Sequence, residues 1–248
     1  MDEVVQLEKV CKSFVENKVL DNISFSVKTG ESLCVLGRSG VGKTVLLKII
    51  VGLIRPDRGR VKLFGRDIFR IRRSELLKLR EDIGFVFQNS ALFDSMSVFE
   101  NVAYPFVRKD VDEAQVRERV LHMLEMVNMK GSEYLRVSEL SGGMKKRVAI
   151  ARALVTEPRL VLYDEPTAGL DPGTGSTVIE IIGRLNEEKK NTAIIVTHDL
   201  DVALSLADRV LFLHEGRVAS ELTPSEIAEG KSEEITKLFG GQEGTYEN

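Results

Sequence analysis

Tryptophan is absent from this sequence of 248 residues, and there are only two cysteines and six prolines. Cys11 and Cys34 form no CxxC or Cys/His pattern, so neither a metal cluster nor a disulfide framework is indicated, and we interpret both as reduced, packed thiols. Long apolar runs are lacking too. The best candidate, residues 45–54, is interrupted by Lys48 and Gly52 and falls short of the roughly 20 residues that cross a bilayer. We therefore expect no transmembrane span.

A large excess of charge of either sign is also missing. The 35 basic and 38 acidic side chains leave a formal net charge of -3, which provides no general attraction to nucleic acid or anionic lipid. Nucleic acid is therefore not expected as a partner. The first ten residues lack a basic region followed by an apolar core, so we expect no signal peptide and a cytoplasmic location.

What the sequence does contain predicts an α/β fold. Continuous apolar runs at 32–36, 160–163 and 193–197 predict strands buried on both faces, each leading into a polar loop. A parallel α/β sheet presents its site in this way, at the carboxyl ends of its strands. Alternating residues in the first third predict half-exposed antiparallel strands. Apolar stripes at helical spacing predict helices over 112–127 and around 178–185.

Toward the C-terminus, the segment from Thr223 to Glu226 has the pattern of a capping box with proline at the first helical position, which predicts the start of a helix. A second short helix is predicted at 235–239. The last residues, 241–248, are polar and predict a flexible tail.

The segment from Gly37 to Thr44 satisfies the pattern GxxxxGK[ST] and stands between a predicted buried strand and an apolar helical stretch. Glycines let successive N–H groups point at phosphates, and the helix N-terminus adds partial positive charge. Lys43 would reach the β and γ phosphates, and the Thr44 hydroxyl would bind Mg²⁺. A glycine turn without a ligand is the alternative. The predicted ATP-binding residues are Gly37, Arg38, Ser39, Gly40, Val41, Gly42, Lys43 and Thr44.

Two carboxylates, Asp164 and Glu165, end the apolar run at 160–163. Burying the two carboxylates side by side is costly without a cation or a shared proton. A magnesium ion would supply the positive charge. Asp164 is predicted to hold the ion, and Glu165 to orient or deprotonate the attacking water. Gln88 and His198 also follow predicted strands, so both could reach the same edge as the phosphate loop; a purely structural role is the alternative for each.

The segment from Leu140 to Arg147, Leu-Ser-Gly-Gly-Met-Lys-Lys-Arg, resembles the signature of ATP-binding cassette (ABC) ATPases. The resemblance covers essentially the whole chain. It implies the P-loop NTPase fold of this family, with a RecA-like core, an N-terminal antiparallel β subdomain and a helical subdomain at about 89–155. The cassette would span 1–240.

The resemblance also implies a head-to-tail dimer, in which the signature of each subunit, here Ser141, Gly142 and Gly143, contacts the ATP bound to its partner's phosphate loop. Phe14 would stack on adenine, although the commoner residue there is tyrosine. Gln88 would sense magnesium and water, and His198 would contact the γ phosphate. A further segment would communicate across the interface: Ala168, Gly169, Leu170 and Asp171. Glu165, His198, Gln88 and Lys43 are thus the implied catalytic residues, and Thr44, Gln88 and Asp164 the implied magnesium ligands.

Within the family, the segment 87–105 and Met144 are most similar to the ATPases of Mla/MCE phospholipid transporters. This branch implies transmembrane permease subunits and MCE-type lipid-binding subunits as partners, on the cytoplasmic face of the inner membrane, with Leu92, Phe93 and Tyr104 as candidate permease contacts. Core packing is the alternative for these three. The longer C-terminal extension of that branch, which reaches its twin, has no match here, so tail exchange is left open.

Other functions are compatible with part of this evidence. The ATPase could serve lipoprotein release, cell division or small-solute transport, or be a non-transport regulatory ABC protein. A P-loop kinase would need an acceptor pocket and a lid in place of the signature segment. Cargo and transport direction are not encoded in these motifs.

Overall fold

The computed structural model describes residues 2–15, 17–107 and 109–231. The chain divides into two compact units. One contains Met1–Arg70 and the chain from Ile195 onward, and the other contains Ile71–Ile194.

In the described residues, ten strands and eight α-helices follow one another along the chain. They are β1 (Glu3–Phe14), β2 (Asn17–Lys28), β3 (Ser32–Leu36), α1 (Lys43–Ile50), β4 (Arg58–Leu63), β5 (Arg66–Asp67), α2 (Arg73–Arg80), β6 (Ile83–Val86), α3 (Val98–Ala103), α4 (Glu113–Met126), α5 (Gly142–Leu154), β7 (Leu160–Asp164), α6 (Pro172–Lys189), β8 (Thr192–Thr197), α7 (Leu200–Leu206), β9 (Arg209–His214), β10 (Arg217–Leu222) and α8 (Pro224–Ala228).

The first unit contains an antiparallel sheet with the strand order β2-β1-β4-β5. Val5 and Leu7 of β1 pair with Val27 and Phe25 of β2, and all four side chains are buried. Polar residues alternate with them, so one face of the sheet is apolar, as the alternating pattern predicts.

The second sheet of the first unit carries the phosphate loop. Here β3 lies between β9 and the last residues of β8, and β9 is parallel to β3 and antiparallel to β10. Every residue of β3 is buried, as a strand covered on both faces requires. Cys34 and Phe212 pack with Ala203 of α7 and Ile227 of α8, which makes Cys34 part of the apolar core.

The second unit contains the helices α2 to α6 around β6 and β7, which are parallel. The predicted helical subdomain, at about 89–155, lies inside this unit. The register pairs Val86 with Tyr163, so β6 and β7 end side by side. A Cβ at Gly84 would overlap the carbonyl oxygen of Ala153, so the glycine lets α5 pack closely against β6.

The helix starts follow the predicted local chemistry. Thr223 accepts a hydrogen bond from the Glu226 backbone, and the Glu226 side chain accepts one from the Thr223 backbone, which confirms the predicted capping box. The helix predicted over 112–127 is α4, with Asp112 as its cap. The predicted helix at 235–239 and tail at 241–248 lie outside the described residues. Within the described part of the chain, no helix is both long and apolar enough to cross a membrane.

Candidate active site

The phosphate loop joins β3 to α1, as its sequence predicts. The Gly37 N–H donates to the Thr197 carbonyl oxygen at 3.1 Å, so the loop begins beside the carboxyl end of β8. His198 is the next residue after Thr197 and is exposed. The first unit therefore brings His198 to the edge of the sheet where the phosphate loop starts.

Glycine is required at three loop positions for different reasons. A Cβ at Gly37 would lie 2.6 Å from the Leu213 carbonyl oxygen. Gly40 and Gly42 have φ values of 82° and 110°, which side chains disfavour. A Cβ at Gly42 would also lie 3.0 Å from the Val19 carbonyl oxygen, so β2 passes directly beside the loop. The backbone can wrap this tightly only because these residues lack side chains.

Lys43 is the first residue of α1 and is only 5% exposed. Its Nζ donates to the carbonyl oxygens of Gly37 at 2.6 Å and Arg38 at 3.1 Å. The ammonium is thus held within the loop, while Arg38, Ser39 and Gly40 are exposed to solvent. An anion on the open side of the loop would meet the first N–H groups of α1 and this buried positive charge.

Phe14 ends β1 at the tip of the β1–β2 hairpin, and 44% of its surface is exposed. The Lys12 ammonium lies 5.2 Å from the centroid of its ring and is ion-paired with Asp57 at 2.7 Å. An exposed aromatic face of this kind can stack on a planar ligand.

The second unit holds the acidic pair at the end of β7. Asp164 is 3% and Glu165 is 7% exposed. Glu165 has a φ of 49°, in the left-handed region that side chains rarely adopt. Such a conformation costs on the order of 1–3 kcal/mol and persists only where the surroundings enforce it.

Lys146 of α5 lies beside this pair and was not predicted as a site residue. It is 4% exposed, and its Nζ donates to the carbonyl oxygens of Gln88 at 2.5 Å and Glu165 at 3.1 Å. Burial lowers the pKa of Lys146, whereas the negative charges of Asp164 and Glu165 act in the opposite direction. The buried carboxylates therefore have a cation from the chain itself, in addition to any metal ion.

A second cation of α5, Arg152, holds the segment that follows Gln88. The Arg152 guanidinium donates to the carbonyl oxygens of Ser90 and Ala91, both at 2.8 Å. Ser90 and Ala91 have φ values of 58° and 47°, so this guanidinium stabilises two consecutive residues in an unfavourable conformation. It also lies 5.7 Å from the centroid of the Phe93 ring.

The signature segment forms the start of α5. Ser141 caps the helix, with its Oγ accepting from the Met144 N–H at 3.3 Å. Ser141 and Gly142 are exposed, and Gly143 is buried. A Cβ at Gly143 would overlap the Thr174 methyl group, so glycine is required there by packing as well.

The predicted communicating segment, Ala168 to Asp171, leads into α6. Gly169 has a φ of 78°, and the Asp171 side chain caps the helix by accepting from the Thr174 N–H at 3.0 Å. Hydrogen bonds from the Thr174 side chain and backbone lower the pKa of Asp171. Asp171 therefore has a local capping role.

The predicted magnesium ligands are compatible with the chemistry of that ion. Thr44, Gln88 and Asp164 offer a hydroxyl, an amide and a carboxylate, all of them oxygen ligands. Among the described residues, no three His, Cys, Asp or Glu side chains cluster as a self-contained metal site. Each of the three residue types present thus fits Mg²⁺ as an oxygen ligand.

Two concave surfaces accompany these elements. A groove of about 520 Å³ in the second unit is lined by Phe85, Phe87, Phe93, Tyr104 and Arg152, among others. The Phe93 and Tyr104 rings are in contact, with centroids 4.5 Å apart, and both side chains are more than one third exposed. A larger cavity of about 1070 Å³ in the first unit is lined by none of the predicted site residues.

Periodicity could have revealed one of the two unpredicted cations, Lys146. Lys146 stands three residues after Gly143 and four before Ile150, so all three lie on one stripe of α5, and all are buried. A charge on such a stripe indicates a buried partner.

Comparisons with known proteins agree with this architecture. Residues 20–168 match the family model described as ABC transporter. The intermembrane phospholipid transport system ATP-binding protein MlaF of Haemophilus influenzae is 37% identical over 225 residues, which cover 90% of this chain and 85% of that protein.

Two relatives with other names are equally similar. The methionine import ATP-binding protein MetN of Carboxydothermus hydrogenoformans is 40% identical, over 90% of this chain and 66% of its own length. The sulfate/thiosulfate import ATP-binding protein CysA 2 of Chromobacterium violaceum is 40% identical, over 97% of this chain and 64% of its own length. The chain thus spans just under two thirds of these longer proteins.

Solved structures show the same fold. CbiO1 of Clostridium perfringens, part of the transporter complex CbiONQ, superposes with a TM-score of 0.85 at 33% identity, and 97% of each chain is covered. The ATP-binding cassette MJ0796, as a dimer bound to ADP and Pi, superposes with a TM-score of 0.81 at 35% identity, covering 89% of this chain and 98% of that one. The predicted cassette fold, with an antiparallel β subdomain and a parallel core sheet, is confirmed.

Proposed function

The chain belongs to the ABC transporter family, and from this membership we propose that it is the ATPase subunit of a complex that moves phospholipid between membranes. As the ATP-binding subunit of an ABC transporter, it binds ATP with Mg²⁺ and hydrolyses it. Cassettes of this family form dimers and work with transmembrane permease subunits.

We assign the chemistry to the residues that the motifs identify. Lys43 and the N–H groups from Gly37 to Thr44 bind the β and γ phosphates, and the Phe14 ring stacks on adenine. Thr44, Gln88 and Asp164 would hold Mg²⁺, directly or through water, and the ion would supply positive charge at the phosphate oxygens.

Glu165 acts on the attacking water, by orienting it or accepting its proton, and Gln88 and His198 complete the surroundings of the γ phosphate. Phosphoryl transfer depends mainly on positioning and electrostatics, and the buried, strained setting of Glu165 supports this assignment. The left-handed backbone of Glu165 is the observation that most directly favours a functional over a structural role for this residue.

The active form is proposed to be a head-to-tail dimer of two copies. The cap at Ser141 and the start of α5 supply an exposed helix N-terminus at the signature. In the dimer this end of the helix meets the ATP on the partner's phosphate loop, where its partial positive charge favours phosphate. ATP binding then closes the dimer, and hydrolysis opens it.

The aromatic groove of the second unit is proposed to receive a helix from the permease. Its apolar rings suit the side chains of an amphipathic helix. Arg152 lines the groove and also holds the carbonyls of Ser90 and Ala91, next to Gln88. An occupant of the groove therefore contacts the residue that fixes the Gln88 segment.

This docking proposal can be tested with one charge substitution and a matched control. Phe93→Asp places a charge in the groove, and Tyr134→Asp places one at a side chain that is 76% exposed and outside it. We expect only Phe93→Asp to lose the membrane subunits when the tagged protein is purified from membranes. Retention of those subunits by Phe93→Asp would contradict the docking site.

Two observations support phospholipid as the cargo: the similarity to MlaF and the methionine at position 144, which the signature shares with the lipid-transport branch. The proposed permease partners are accompanied by MCE-type lipid-binding subunits, and the complex lies at the inner membrane with this subunit on the cytoplasmic face. Methionine or sulfate import is the second candidate, because relatives with these names are equally similar.

Purification of the tagged protein from its native membrane, with identification of the accompanying subunits and lipids, distinguishes these candidates. An MCE-type subunit and phospholipid are expected in the preparation. Recovery of a periplasmic solute-binding protein in their place would contradict the phospholipid proposal and favour small-solute import.

A further inference from the structure

Lys146 connects the backbones of two residues to which the proposed function gives separate roles. Its single ammonium group donates to the carbonyl oxygen of Gln88 at 2.5 Å and to that of Glu165 at 3.1 Å. Gln88 follows β6 and Glu165 follows β7, and these parallel strands end side by side. The lysine therefore fixes the distance between the two chain segments just beyond the sheet edge.

Burying this lysine is unfavourable unless its charge is compensated. Only 4% of its surface is exposed, and the nearby carboxylates of Asp164 and Glu165 provide the opposite charge. The same positive charge opposes the negative charges of the two carboxylates, which are buried side by side. A neutral apolar residue in this place would leave two carbonyl oxygens and two carboxylates without this partner.

The hydrogen bond to Glu165 also restrains an unfavourable backbone conformation. Glu165 has a φ of 49°, and its carbonyl accepts both from Lys146 and from the Ala168 N–H at 3.2 Å. The direction of the side chain follows from that of the backbone, so loss of the lysine donor would let the Glu165 carboxylate move.

We propose that Lys146 is a positioning residue for ATP hydrolysis, which holds Gln88 and Glu165 in one fixed arrangement. This inference rests on the proposed roles of Gln88 and Glu165. Because Lys146 lies in the second turn of α5, whose first turn carries the signature, it also connects the signature helix to both residues within one subunit.

The test compares steady-state ATP hydrolysis by the purified full chain in four variants. Lys146→Met keeps most of the length of the side chain and removes every donor, whereas Lys146→Gln keeps an amide donor. Lys130→Met removes a lysine and its ion pair with Glu125 from the surface of the same unit and serves as the control. Glu165→Gln reports separately on the proposed base.

A lysine that positions the reacting groups should affect kcat and leave nucleotide binding unchanged. We expect kcat to fall by roughly ten- to a hundredfold in Lys146→Met, because small misplacements of reacting groups cost this much. KM should remain within about threefold of the wild type. Lys146→Gln should retain an intermediate kcat, and Lys130→Met the wild-type kcat.

The inference is overturned if Lys146→Met keeps the wild-type kcat, or if kcat and KM change together in both Lys146 variants. If Lys146→Met does not fold, Lys146→Gln provides the test. A kcat at least fivefold below that of the wild type, with an unchanged KM, supports the inference. A wild-type kcat refutes it. Activity in Glu165→Gln would instead refute the proposed base. Loss of activity in that variant together with normal Lys146→Met activity would refute the positioning role alone.

Discussion

Gly143, in the signature, has two separable reasons to be glycine, and a double-mutant cycle with Thr174 can distinguish them. A Cβ at Gly143 would overlap the Thr174 methyl group, whereas a Cβ at neighbouring Gly142 would meet only the Leu170 side chain, at 3.5 Å. Thr174 is β-branched and lies in α6, where its side chain has few alternative rotamers. Gly143→Ala therefore forces one of the two helices to shift.

The expected magnitude follows from two opposing effects. Overpacking costs about 1–3 kcal/mol. Replacing glycine by alanine in a helix contributes roughly 0.5–1 kcal/mol in the stabilising direction. Gly143→Ala should thus reduce the free energy of unfolding by up to about 2.5 kcal/mol, which for a chain of this size is a decrease of several degrees in Tm.

Thr174→Ser removes the methyl group that Gly143→Ala would meet, so the double variant should recover most of the lost stability. The coupling free energy between the two sites, from urea unfolding of all four proteins, should be about 1–3 kcal/mol. Gly142→Ala is the matched control and should show no such coupling. ATP hydrolysis should remain low in the stable double variant if the signature backbone binds the partner's nucleotide. Additive effects of Gly143→Ala and Thr174→Ser on stability would refute the packing argument.

Three further changes have defined outcomes. Lys43→Ala should abolish most phosphate release, and a wild-type rate would contradict its role at the phosphates. Ser97→Ala should lower the free energy of unfolding by about 1 kcal/mol in urea titrations, because Ser97 Oγ caps α3 through the Glu100 N–H, and an unchanged midpoint would contradict this. Hydrogen bonds from Ser97 lower the pKa of Glu100 from its ordinary value of 4.5, so the stabilisation is present above pH 4.5 and is lost as the pH falls further. Glu100→Gln should therefore show a weaker decline of stability below pH 4.5 than the wild type, and identical pH profiles would exclude this contribution.

The sequence was sufficient to predict most of the elements that carry the site. The run at 32–36 is β3 with the predicted bounds, and the runs at 160–163 and 193–197 differ from β7 and β8 by one residue. These predictions succeeded because strands buried on both faces must be apolar throughout. The phosphate loop was predicted because its glycines are required by backbone geometry, which is encoded locally.

Contacts between distant segments could not be predicted in the same way. The helical stripe that Lys146 shares with Gly143 and Ile150 indicates that it is buried, but the local sequence does not identify its partners. Its role depends on the approach of α5 to the carbonyls of Gln88 and Glu165, which are 58 and 19 residues away in the chain. The sequence predicts a magnesium ion as the positive charge that opposes the acidic pair, and the structure adds Lys146 to that balance.

The most direct test of the central claim is one experiment on Glu165→Gln, in which phosphate release and the size of the protein in solution are measured together, with ATP and Mg²⁺ present. Loss of the proposed base should stop turnover while leaving the nucleotide sites intact. We expect no phosphate release and a stable dimer with ATP that dissociates to monomers when ADP replaces ATP. Wild-type turnover, or a monomer at saturating ATP, would contradict hydrolysis at a site shared between two copies.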